Sequence, residues 1–353
     1  MMASRWVMAN QNGFEASLNY EENVPVPENL GDHDVLVELY GASLNYRELV
    51  IARNREQVGL ISENCVPGSD GAGIVKATGA AVAEFKPGDH VVTLLSPTTV
   101  QKGGDDAFPD FSAVSDGLGQ RQNGTLQTHG VFHETALVHG PQSIGFIEAS
   151  TLTCSGLTAW NSLFGFKGKQ VKAGDWVLTQ GTGGVSVAAL QFAVAAGANV
   201  VATTSSDDKA ARLKELGAKH IVNYRTNPAG WGKEAKDLTP NGAGFDFIVD
   251  IGGDATLAQA VPAAKTDGIV VLAGLRGSGQ PVPLLIALMY PCVVRGVLAG
   301  SRTQLKDLVK FVDEKKIVPA LDDVVYDLKD AKKAYQRLDA TKHFSKVAIK
   351  IRD

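Results

Sequence analysis

Between residues 148 and 299 the chain alternates short β-branched runs with helix-like segments, and this alternation limits the fold more than any other feature. The runs are WVLTQ (176–180), NVVATT (199–204), HIVNY (220–224), FDFIVDI (245–251), GIVVLAG (268–274) and VVRGVLAG (293–300). VSVAALQFAVAAG (185–197) and DDKAARLKELG (207–217) fill the first two gaps between them. A helix that follows a strand carries the chain back to the edge where that strand began. The next strand therefore runs parallel to the last, and helices cover both faces of an α/β doubly wound sheet. Gly197 and Gly217 close the two helices, and Ser206 stands where an N-cap belongs.

Upstream the texture differs. From 35 to 139, VLVELY, GIVKATG, HVVTLL and TALVH are punctuated by Gly and Pro, as in an antiparallel β-barrel. The tail holds two helix-like segments, QLKDLVKFVDEKK (304–316) and LKDAKKAYQRLD (328–339), before the strand-like KVAIKI (346–351), which is expected to rejoin the barrel. A length of 353 residues suits two domains. The expected limits are 1–147 for the barrel, 148–300 for the parallel sheet and 301–353 for the return. The segment from 97 to 130 is poor in apolar residues and rich in Gly, Asp and Ser. It reads either as a functional or mobile loop or as a plain surface excursion.

Composition excludes several classes of function. With 44% hydrophobic and 20% charged residues the chain is of globular type. A net charge of -4 without a long basic run offers no footprint for nucleic acid. No apolar run approaches the roughly 18 residues of a membrane span, and the N-terminus has no apolar core of a secretory signal. Three widely spaced cysteines, Cys65, Cys154 and Cys292, argue for a reducing compartment, so a cytoplasmic location is expected.

The stretch TQGTGGVSVAAL (179–190) lies between a strand and a helix of this reading. Gly181, Gly183 and Gly184 permit a tight turn, and the backbone N–H groups of a helix start, with Thr182 and Val185, suit a pyrophosphate. Ser186 replaces the third glycine of the dinucleotide pattern. The second strand ends in Thr203, Thr204, Ser205 and Ser206, without the carboxylate that accepts a ribose 2'-hydroxyl. Ser205, Lys209 and Tyr224 would instead meet a 2'-phosphate, so NADPH is favoured over NADH. Asp207 and Asp208 oppose this reading electrostatically unless they serve the helix dipole. A second cluster of chemistry stands in ASLNYREL (42–49), where a strand ends in Ser43, Asn45, Tyr46 and Arg47.

PGSDGAGIV (67–75), KPGDHVV (86–92), CSGLTAW (154–160), GTGGVS (181–186), KELGAKHIVNY (214–224) and HFSKVAIKI (343–351) together resemble the medium-chain dehydrogenase/reductase superfamily. That resemblance implies a GroES-like β-barrel catalytic domain and a Rossmann NADP-binding domain. Its zinc alcohol dehydrogenases carry metal ligands at positions that here look like Asn45, Ser69, Asp70 and Cys154. Only Cys154 is a typical zinc ligand, and a catalytic site needs three. The Asn-Tyr-Arg element resembles instead the zinc-independent quinone oxidoreductases and enoyl reductases. It implies no metal, Thr158 beside a nicotinamide, Gly274, Leu275 and Leu298 around its carboxamide, and Lys346 near the pyrophosphate.

The expected activity is hydride transfer from NADPH to a small conjugated carbonyl, with Asn45 and Tyr46 as catalytic candidates. Without a Lewis acid, a saturated alkoxide lacks a strong partner, whereas an enolate or hydroquinone anion spreads its charge and needs only hydrogen-bond donors. Two alternatives stand beside it: an NADP-dependent alcohol dehydrogenase or carbonyl reductase without zinc, and a low-turnover NADPH-binding protein. A homodimer is expected through the strand at 293–300, the last of its sheet.

Overall fold

The computed structural model describes residues 1–55, 58–274 and 279–353. The chain divides into two compact units, one of Met1–Leu157 with Ala299–Asp353 and one of Thr158–Leu298. The division falls inside the helix Leu157–Phe164, later than the expected limit at 147/148.

The first unit is built on the long strand Asp34–Leu44. It pairs antiparallel with Asp70–Thr78, with His129–His133 and with Lys346–Lys350. Alternation explains its place: Val35, Val37 and Leu39 turn into one apolar cluster with Val75, Phe85, Val91, Phe132 and Leu137. Lys346–Lys350 also pairs parallel with Leu321–Asp327, so this strand lies inside the sheet of this unit.

Register at the end of Asp34–Leu44 matters for function. Ser43 lies opposite Asp70 on one side and Ala348 on the other, while Leu44 faces Val347. Asn45 and Lys346 are the next residues outward on neighbouring strands. Beneath them the helix Ala331–Asp339 presses Ala331, Ala334, Tyr335 and Leu338 into a second cluster with Trp6, Phe14, Leu49 and Ile51. Each Leu or Ile here removed to Ala would cost about 2–5 kcal/mol.

The segment from 97 to 130, read as a loop, contains the helices Pro97–Gly103 and Phe111–Ser115. It is tied down from afar. Arg302 donates to the Leu137 carbonyl at 2.9 Å, to Asp105 at 3.1 Å and to Glu84 at 2.7 Å, while Lys306 reaches Asp105 at 2.8 Å. Farther along, Leu118, Gln120, Thr125 and Leu126 are buried.

In the second unit all six runs are strands of one parallel sheet. Its order is His220–Asn223, Asn199–Thr204, Trp176–Gln180, Phe245–Asp250, Ala264–Leu272 and Val293–Gly296. The strand order reverses between Trp176–Gln180 and Phe245–Asp250, the point outside whose carboxyl ends such sheets bind ligands. Gly197 and Gly217 take φ of 83° and 100°, the left-handed helix closure that glycine adopts without strain. Among the described residues no helix is long and apolar enough to cross a membrane.

Candidate active site

Asn45 caps the helix Tyr46–Ala52 in a capping box, with the Glu48 carboxylate accepting the Asn45 backbone N–H at 2.6 Å. Its side-chain Oδ1 accepts a short hydrogen bond from Lys346 Nζ and another, at 3.1 Å, from Ser155 Oγ. Ser155 belongs to a single π turn, Leu152–Gly156, of the kind that collects at functional sites.

Lys346, 3% exposed, has its ammonium filled: besides Asn45 it donates to the Leu44 carbonyl at 2.8 Å and to Asp70 Oδ2 at 3.0 Å. An ammonium has three protons and no lone pair, so none remains for a further partner. Asp70 is fully buried and also accepts from Ser43 Oγ at 2.9 Å, the residue that the strand register sets opposite it. Its charge and that of Lys346 cancel within the sheet. One polar atom is left over: Asn45 Nδ2 is enclosed and has no hydrogen-bond partner. An unmade buried donor costs about 1–3 kcal/mol, which the chain sustains.

The positions that the resemblance likens to zinc ligands, Asn45, Ser69, Asp70 and Cys154, do not fit a zinc ion. Asn45 Oδ1 and Asp70 Oδ2 both face the Lys346 ammonium, a cation that would repel a second one. Ser69 donates its hydroxyl to Glu48 Oε1 at 3.1 Å. Burial and the nearby Asp70 carboxylate push the Cys154 thiol up to about 12. Among the described residues no group of three His, Cys, Asp or Glu side chains is arranged to hold a metal.

Tyr46 is half-buried and packs against the apolar cluster of Trp6, Phe14 and Tyr335, with its phenol in electrostatic range of Arg53. Arg47 is spent on structure, donating to the carbonyls of Leu118 at 2.9 Å and Val114 at 3.0 Å. His129 is buried beside Glu38 and Arg352, and His133 caps the turn Glu134–Ala136.

In the second unit the glycine turn has the form expected of a phosphate cradle. Gly181 takes φ of 76° and its N–H donates to the Thr203 carbonyl at 3.0 Å. Gly183 N-caps the helix Gly184–Ala195, and a Cβ built on it would meet no atom within 4 Å. Protein packing therefore does not demand glycine at 183, and the open space beside a helix N-terminus, between Thr182 and Val185, suits an anion. Ser186 fills the third-glycine position because its hydroxyl turns inward and donates to the Gln180 carbonyl at 2.6 Å.

Ser205 follows the strand Asn199–Thr204, and Lys209 lies in the first turns of the helix Asp207–Glu215. The Tyr224 backbone N–H donates to the Thr204 carbonyl at 3.1 Å, which brings the 37%-exposed tyrosine to the same sheet edge. Asp207 and Asp208 stand in the first turn of that helix, Asp207 accepting from Asn223 at 3.1 Å. Thr158 is buried, its carbonyl accepting from Ser162 Oγ at 2.7 Å. Gly274 lies so near the Ile251 carbonyl that a Cβ would stand 2.6 Å from its oxygen. Leu298 is 41% exposed, and Leu275 lies outside the described residues.

Lys346 lies in the first unit, where it donates to Leu44, Asn45 and Asp70. Sequence reasoning missed Ser155 and Asp250. The fully buried Asp250 accepts from Gln180 at 2.8 Å, from Thr256 at 2.8 Å and from the Gly253 N–H at 2.8 Å, which fastens the two central strand ends beside the switch point. Burial raises its pKa despite these bonds. A lone Asp at a strand end gave no signal of this.

Comparison with known proteins agrees with the two-unit architecture. Residues 31–142 match the family model of the alcohol dehydrogenase GroES-like domain, and residues 184–314 that of the zinc-binding dehydrogenases. A zinc-type alcohol dehydrogenase-like protein of Schizosaccharomyces pombe is 39% identical, over 99% of this chain and 100% of its own. The crystal structure of an NAD-dependent alcohol dehydrogenase, 32% identical, superposes with a TM-score of 0.84 over 100% of both chains. A crotonyl-CoA carboxylase/reductase of Cereibacter sphaeroides is 26% identical over 90% of this chain and 80% of its own. The glycine turn, the six-stranded sheet and these full-length matches carry one conclusion: the chain belongs to the medium-chain dehydrogenase/reductase superfamily.

Proposed function

We propose that this protein is a zinc-independent, NADPH-dependent reductase of conjugated carbonyls, a class that takes in quinones, enones and enoyl thioesters. The single observation that carries the reading is the enclosed, unpartnered Nδ2 of Asn45. It stands where zinc relatives have a metal ligand, beside an ammonium that leaves no place for the metal. An amide N–H can hold the oxygen of an enolate or hydroquinone anion, whose charge is spread over a conjugated system. It is a weak substitute for a Lewis acid on a localised alkoxide.

Gly181, Thr182, Gly183, Gly184 and Val185 would hold the pyrophosphate, and Thr158, Gly274 and Leu298 the nicotinamide end. Ser205, Lys209 and Tyr224 would face the 2'-phosphate. A dinucleotide held there would supply a hydride for the β-carbon or the ring of the substrate. Asn45 keeps the substrate oxygen oriented as negative charge gathers on it, and water then delivers the proton. We place the molecule as a homodimer joined at the edge strand Val293–Gly296.

A second reading draws on the relatives' names: a carbonyl reductase or alcohol dehydrogenase, with NADH as the cofactor of the 32%-identical structure's enzyme. NADPH oxidation followed in parallel with a quinone, an enone, an enoyl thioester and a simple aldehyde separates the two, with NADH as a second arm. The conjugated substrates and NADPH should lead by tenfold or more in kcat/KM, and elemental analysis should find far less than one zinc per chain. Preference for the aldehyde, together with activity lost to a chelator, would overturn the proposal.

A further inference from the structure

The misfit between this site and a metal has a positive content. Lys346 donates to Asn45 Oδ1 and is itself neutralised by Asp70, with all three side chains in the interior of the first unit. An ammonium can only donate, so the amide atom that touches it must be the oxygen. Ser155 Oγ, at 3.1 Å from the same atom, repeats the constraint. The amide therefore has one orientation, with both Nδ2 protons directed away from Lys346 and Ser155, and it is Nδ2 that lacks a partner.

We infer that Lys346 is the positioning residue of the reaction: it locks the side-chain amide of Asn45 with the donor free and polarises it, so that a fixed internal ammonium does at one remove what a metal does in zinc relatives. This rests on the reading of Asn45 as the donor to a substrate oxygen. Charge on the amide oxygen draws electron density from the N–H groups, and hydrogen bonds in series strengthen one another in a low dielectric. The donor is set in place before the reaction begins, so no reorganisation accompanies the growth of charge. Lys346 itself never touches substrate, because its three protons are occupied. Asp70 keeps it in register, and Ser43, opposite Asp70 in the sheet, holds that carboxylate at 2.9 Å.

The inference is tested by kinetics on the intact protein with NADPH and the best conjugated substrate. Removing Lys346 alone would leave the Asp70 carboxylate buried without its counter-ion, so the pair is neutralised together as Lys346→Met with Asp70→Asn. Cofactor affinity, read by NADPH fluorescence, and the melting temperature report on folding. The paired variant should bind NADPH within about threefold of the parent and keep KM within about threefold. Its kcat should fall roughly hundredfold, the size of effect seen when one oxyanion donor is lost. A folded paired variant with kcat within threefold of the parent would overturn the role of Lys346.

Ser155→Ala changes no charge and gives an independent reading should the paired variant not fold. A kcat about three- to tenfold lower at unchanged KM is expected, and kcat within twofold of the parent counts against amide positioning. Asn45→Asp keeps an acceptor for Lys346 and Ser155 but deletes the donor. Full activity in that variant would refute the reading of Asn45 itself. Loss there beside an unimpaired paired variant would refute only the inference about Lys346.

Discussion

Tyr46 and Lys209 put the site to the test one side chain at a time. Tyr46 packs against an apolar cluster, and the anion of a conjugated substrate can take its proton from water. Tyr46→Phe should therefore lose at most one hydrogen bond, about 0.5–1.5 kcal/mol, and kcat/KM should fall by no more than roughly tenfold. A loss of about 10² to 10⁴ would instead identify a general acid and point to simple carbonyls as substrates. Lys209→Ala should weaken NADPH binding by tenfold or more, since a hydrogen bond to a charged group contributes about 1.5–3 kcal/mol. NADH binding, measured by the same titration, should hardly change; equal losses would mean that Lys209 does not meet the 2'-phosphate. The glycine turn was legible because its residues are contiguous and its geometry local. The partner of Asn45 was not, since Lys346 is 301 positions away and only strand register brings the two together.

The helix Arg302–Lys315 holds the segment around 97–115 from outside, and this clasp has a pH dependence. Burial alone would raise the Glu84 and Asp105 carboxyls, but hydrogen bonds from Lys306 and Arg302 outweigh it and keep both below their ordinary values. A depressed carboxyl contributes stability above its unfolded pKa of about 4 and loses it as pH falls through the folded value. The clasp should therefore be intact at pH 7 and should release only below about pH 4. Arg302→Met should speed limited proteolysis between 103 and 111 at pH 7, and the excess over the parent should shrink in acid as the parent's own clasp opens. Equal cleavage of both proteins at pH 7 would refute it. Sequence reading took this segment for a loop because its helices, of seven and five residues, are too short to show a period. Their anchor, Arg302, lies on an element some 200 residues on and interacts with Asp105 across a separation of 197.

At the scale of the molecule, Val293–Gly296 ends its sheet with one edge unpaired among the described residues, and the nearby Leu284, Leu285, Leu288 and Met289 are 85%, 64%, 74% and 70% exposed. An edge and an apolar patch together are what a second copy covers across a twofold axis. Light scattering at micromolar concentration should give twice the mass of 37.2 kDa, and Leu288→Glu with Met289→Lys should yield monomers. A wild-type monomer would exclude this interface. The six parallel strands, the barrel strands and the strand-like tail were legible in the sequence alone, because hydrophobic period and helix closure act over a few residues at a time. The same local logic marked the glycine turn and the absence of a typical zinc ligand set. Only the tertiary structure decided what replaced those ligands. Pairing Asp34–Leu44 with both Asp70–Thr78 and Lys346–Lys350 buries Asp70 and Lys346 beside each other, and burial turns two ordinary surface residue types into a neutral pair that holds Asn45. No local pattern encodes a contact whose register is set by the packing of a whole sheet.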